Sequence, residues 1–128
     1  METVVQFSIV GQFISTLFSS RTQAHILHLQ TNSFAVHKAL NDYYDEIVGL
    51  TDSLVEGYQG KYGIVTGYSN VDLLESRECA DVIKYFMALS IFVDRTRTQM
   101  PQDSYIQNVI DEIVDLINST LYKLKFLK

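Results

Sequence analysis

The sequence predicts an all-α chain: one bundle of four helices with a long connection between the second and third. Three observations predict it. Apolar residues recur in steps of three and four along most of the chain. Glycine and proline are scarce, 6 and 1 among 128 residues, whereas a β-sandwich needs turn residues throughout. Four of the six glycines (Gly57, Gly60, Gly63 and Gly67) crowd into one short span. With 47% hydrophobic residues, a chain of this length suits a single domain, residues 1–128, around one core.

The first helix is expected from about residue 4 to residue 29, burying Phe7, Val10, Ile14 and Leu17. Its apolar start is expected to be neither a signal peptide nor a membrane anchor. Glu2 is the only charge among the first twenty residues, so no positive region precedes the run, and Gln6, Ser8, Gln12 and Ser15 interrupt it. Thr31, Asn32 and Ser33 offer side-chain oxygens that break the helix and cap the next. That second helix, about residues 34 to 57, carries a stripe of Val36, Leu40, Tyr43, Ile47, Leu50 and Leu54. Residues 57 to 70 are expected to be a loop that crosses the bundle. Asn70 or Asp72 would cap the third helix, which buries Val82, Phe86, Leu89 and Val93 and runs to near Thr98. After Pro101 and Asp103 the fourth helix places Ile106, Ile110, Ile113, Ile117, Leu121 and Leu124 on one face. Lys123, Lys125 and Lys128 at its end read as favourable charges at a helix C-terminus, solvated rather than a binding patch. Four helices with one long connection in the middle fit a ferritin-like four-helix bundle with a crossover between the second and third helices.

The charge of −5 and pI near 5.0 exclude the overall basic surface that generic nucleic-acid coating needs. Cys79 is the only cysteine, so neither an internal disulfide nor a Cys-based zinc site is available, and a reducing cytoplasmic setting is expected. Gly-rich phosphate cradles, G-x-S-x-G and paired Cys/His nucleophiles are missing.

The chemistry-bearing residues lie on an unexpected face. A di-iron bundle usually binds metal in its own core through Glu-x-x-His pairs, and this sequence has none. Its histidines, His25, His28 and His37, flank the first turn, and Asp52 and Glu56 stand at i, i+4 further along the second helix. On a helical wheel the two acids point away from the core stripe. Tyr44, Val48 and Val55 form a second apolar strip there, to be covered by the crossing loop or by another subunit. His37 and Asp52 are fifteen residues apart on one helix, about 22 Å, and cannot share an ion within one chain. An antiparallel two-fold pairing of these helices would bring His37 of one chain to Asp52 and Glu56 of its partner, forming two equivalent sites. His25 would approach His37 across the turn. Two imidazoles and two carboxylates suit a divalent ion such as Fe(II).

The spacing of His25, His37, Asp52 and Glu56, set in HILHLQTNSFAVHKALNDYYDEIVGLTDSLVEG, resembles the Dps-family miniferritins, the DNA-binding proteins from starved cells. The motif covers residues 25 to 56, and the helical plan extends the likeness more weakly over the chain. The resemblance implies a dodecameric shell whose intersubunit ferroxidase sites oxidise Fe(II), preferably with hydrogen peroxide, store ferric iron and limit oxidative damage. By that analogy the catalytic and metal-binding residues are His25 and His37 from one chain and Asp52 and Glu56 from its partner, with iron as the metal.

This chain departs from the family at Ile26, where Trp is frequent, and at Asn41, where a further acid is frequent. Losing that acid weakens the hold on a second iron; Tyr43 or Tyr44 could replace the tryptophan as electron donor. No lysine-rich tail is visible, so DNA is the family partner with least support. Two other readings are a non-catalytic ferritin-like binding or regulatory module and a DNA-protecting protein with reduced ferroxidase activity. His28 is read as an accessory ligand or, more simply, a helix-end histidine bonded to backbone or water. Asp111 and Asp115 form an acidic pair that would line an ion channel or a solvated face. Cys79 reads as a small, buried apolar residue.

Overall fold

The computed structural model describes residues 8–128, and there the chain forms four α-helices: α1 Ile9–Gln30, α2 Phe34–Tyr62, α3 Cys79–Thr96 and α4 Ser104–Phe126, with a 3-10 turn Arg97–Gln99 before α4. Phe7 and the expected helix start near residue 4 lie outside the described residues. No strand forms among those described, and no helix there is long and apolar enough to cross a membrane.

Local chemistry fixes the two helix starts flanking the first hairpin. Ser8 Oγ accepts from Gly11 N–H at 2.9 Å, and Ser33 Oγ accepts from Val36 N–H at 3.3 Å, each satisfying a donor that the first turn leaves free. The predicted stripes of α3 and α4 are buried throughout, as are Val36, Leu40, Tyr43, Ile47 and Leu54 of α2, while Leu50 is half-buried. In α1 the core takes Phe13, Ile14 and Leu17, and Val10 is only half-buried. Tyr43 meets Phe86 edge to face at 4.8 Å, joining α2 to α3 at the centre.

The connection between α2 and α3 differs from expectation at both ends. Gly57 and Gly60 sit within α2, because both face open space and Tyr58 and Tyr62 pack on each other across that turn at 5.0 Å. The helix stops instead at Gly63, whose φ of 97° is cheap only for glycine. At the other end neither Asn70 nor Asp72 caps α3, whose N-cap is Glu78. Glutamine side chains of α1 hold that stretch in non-helical form. Gln23 brackets Leu74, donating to its carbonyl and accepting from its N–H, both at 2.8 Å, and Gln30 accepts from Ser76 N–H at 2.9 Å. Ser69 N–H donates to Ser15 Oγ at 2.9 Å, and Gly67 lies against Gly11. The segment 63–78 therefore follows α1 from its first turn to its last.

Candidate functional site

The turn between α1 and α2 brings the three histidines to one end of the bundle. His28 and His37 stack with ring centroids 3.6 Å apart and planes 17° from parallel. Each ring also bonds the other's backbone: His28 Nδ1 to the His37 carbonyl at 2.7 Å, and His37 Nδ1 to the His28 carbonyl at 2.8 Å. A carbonyl only accepts, so both Nδ1 atoms carry the proton, and Nε2 is the atom of each ring left to hold a lone pair for a ligand. His28 lies in the last turn of α1, where carbonyls lack intrahelical partners, so His37 satisfies one of them. His28 thus fits the simpler expectation of a backbone-bonded histidine at a helix end.

His25 belongs to the same cluster but is held differently. Its ring stacks on Tyr44 at 4.4 Å and meets His28 at 5.8 Å. Tyr44 in turn meets His28 edge to face at 5.3 Å and donates its hydroxyl to Asn41 Oδ1 at 2.7 Å. Tyr44, which stays half-buried, is therefore covered in part from within the chain by α1 histidines. Asn41, where the resembling family often has an acid, bridges Tyr44 and Asp45, donating to Asp45 Oδ2 at 3.1 Å.

Asp52 and Glu56 lie on the exposed side of α2, and Val48 and Val55 beside them are half-buried. The rise of a helix keeps Asp52 about 22 Å and Glu56 about 28 Å from His37 within the chain. Among the described residues no group of three or more His, Cys, Asp or Glu side chains is arranged to hold a metal ion. The structure thus gathers the three histidines and leaves the carboxylates apart from them. As residue types these are donors a divalent metal accepts: a ring whose Nδ1–H is bonded to a carbonyl, as that of His37 is, presents Nε2, and exposed carboxylates supply hard oxygens.

The other flagged residues have local partners. Asp111 accepts from Arg97 at 2.6 Å, and Asp115 is exposed beside Glu112 and Glu46. Cys79 is half-buried with its thiol against the Leu124 carbonyl at 3.6 Å, and burial raises its pKa.

Residues 28–124 match a family described as a family of unknown function (DUF5856). The chain belongs to that family. The DUF5856 match takes in His28, His37, Asp52 and Glu56 and begins after His25. Searches of the curated proteins and of the solved structures find no match.

The reciprocal histidine pair escaped sequence reasoning, which paired His25 rather than His28 with His37. The spacing carried only part of the signal. His28 is nearer the turn, and two helices that reverse tightly there place the residues closest to the turn opposite each other. A second feature, the junction of Lys61 and Tyr62 with Asp103, had no sequence signal because it spans α2 and the start of α4.

Proposed function

We propose that this chain is a ferritin-like, Dps-like miniferritin subunit that oxidises Fe(II) with hydrogen peroxide at sites shared between two copies. The observation that carries the reading is the position of the half-buried His37 near the start of α2 and of the exposed Asp52 and Glu56 pair towards its other end. An antiparallel pairing of two α2 helices supplies imidazoles from one copy and carboxylates from the other, twice over. The path of segment 63–78 along α1 supports the ferritin-like plan, since a connection running the length of the bundle lets α2 and α3 start at the same end.

Iron is the substrate and the stored cargo. His37, with Nδ1–H anchored on a carbonyl, offers Nε2 in a fixed orientation; His25 offers a second nitrogen, and Asp52 and Glu56 of the other copy supply oxygens and neutralise charge. Each of two Fe(II) ions gives up one electron, and peroxide takes both electrons and two protons to leave two waters. The two-electron course releases no hydroxyl radical. Assembly of dimers into a dodecameric shell, in the cytoplasm, would give the ferric product a place to accumulate.

The test mixes purified protein anaerobically with Fe(II) and then adds peroxide. A ferric absorbance is expected to rise quickly in the wild type and to fall at least about tenfold in rate in His37→Ala and in Asp52→Ala. Unchanged kinetics in both variants, or a monomeric native mass, would overturn the reading in favour of a non-catalytic module.

A further inference from the structure

The lysines at the end of α4 do not simply face solvent. With Lys38 of α2 they line a groove of about 940 Å³ between the starts of α2 and α3 and the end of α4. Four of the six lysines in this acidic chain converge there, Lys38, Lys123, Lys125 and Lys128, against one side-chain carboxylate, Asp42. Asp42 is shared, 3.4 Å from Lys38 and 3.5 Å from Lys123, and Lys125 and Lys128 make no ion pair among the described residues. The remaining lining is almost wholly apolar and includes Phe34, Ala39, Ile83 and Leu127. Phe34 is 79% and Leu127 48% exposed, so the apolar wall stands open.

We propose that this groove binds a single-chain fatty carboxylate, its tail along the apolar wall and its headgroup among Lys125, Lys128 and Lys123. An apolar trough with a cationic rim matches an amphiphile with an anionic end: the tail removes hydrocarbon from water while the ammonium groups meet the carboxylate at the surface, where neither charge is fully desolvated. The volume lies in the usual range for small-molecule sites. Along α2 the lining runs from Phe34 to Asp42, about 12 Å of helix, which matches an extended chain of about ten carbons. A nucleic acid would leave the apolar wall unused, and a neutral lipid would leave the lysines unused. None of the proposed iron ligands lines the groove, although its Phe34 stacks on His37 at 6.2 Å.

The test uses the full chain and decanoate, followed by titration calorimetry below the micelle concentration, with decanol and decyltrimethylammonium as headgroup controls. Decanoate is expected to bind once per chain and at least about tenfold more tightly than either control. The double variant Lys125→Glu/Lys128→Glu and the separate variant Leu127→Asp should each weaken it at least about fivefold. All three positions are exposed near the chain end, and unchanged thermal melting would show that the variants remain folded. Equal affinity for the cationic control, binding unaffected by both variants, or no binding of decanoate would overturn the proposal. Binding to anionic vesicles without binding of monomeric decanoate would also overturn it, in favour of a membrane surface.

Discussion

At the scale of single residues, the buried Tyr43 shows how one proton sets the sign of a hydrogen bond. Ser20 Oγ lies 2.7 Å from the Leu17 carbonyl, which can only accept, so the serine proton is committed there. The Tyr43 hydroxyl, also 2.7 Å from Ser20 Oγ, must therefore be the donor. Burial pushes the Tyr43 pKa well above its ordinary value, so the phenol stays protonated. Removing the acceptor strands a buried donor, whereas removing the donor leaves Ser20 bonded. Ser20→Ala is expected to cost about 1–3 kcal/mol and Tyr43→Phe about 0.5–1.5 kcal/mol, an order that urea denaturation of the two variants would check. The histidines teach a related lesson. Their residue types and spacing were legible in the sequence, but the assignment of His28 to His37 depended on two backbone carbonyls that no side-chain pattern reports.

Between elements, glycine separates a close approach from ordinary helix. A Cβ on Gly11 would lie 2.5 Å from the Gly67 carbonyl oxygen and 2.6 Å from that of Thr66, so segment 63–78 would have to lift from α1. Gly49, in the exposed part of α2, has nothing within 4 Å of such an atom. Gly11→Ala should therefore destabilise by about 1–3 kcal/mol through overpacking, while Gly49→Ala should stabilise by up to about 1 kcal/mol through helix propensity. Opposite shifts in the denaturant midpoint would confirm the contrast. The far end of α2 adds a pH-sensitive junction. Lys61 and Tyr62 both donate to Asp103, and those bonds hold its carboxyl down at about 2. A pKa lower in the folded chain than in the unfolded one adds stability above the ordinary value, near pH 4, that is lost as pH falls towards about 2. Asp103→Asn should remove this part of the acid dependence, measurable as a shallower fall in melting temperature between pH 4 and pH 2.

For the whole molecule, the proposed function rests on two copies, and subunit mixing tests it directly. In a two-fold pair each site takes His37 from one copy and Asp52 from the other. A heterodimer of His37→Ala with Asp52→Ala has one site with neither lesion and one with both. Random re-pairing of the two inactive variants makes half the dimers mixed, so about a quarter of the wild-type ferroxidase rate should return. No recovery, with mixing verified by native mass, would place all the ligands in one chain or none.

The sequence by itself determined the four helices, most of their buried stripes and the outward direction of Asp52 and Glu56. Those features follow from the helical period, which each segment expresses without reference to the others. It misjudged the span between α2 and α3 because glycine weakens a helix without ending it. The segment's course was set by Gln23 and Gln30 amides, more than forty positions away in the chain. Only the tertiary structure decided which histidines pair and turned scattered lysines into one groove. Lys38 and Lys123 come from different helices, and proximity of that kind depends on how the helices pack, which the period of any one helix does not encode.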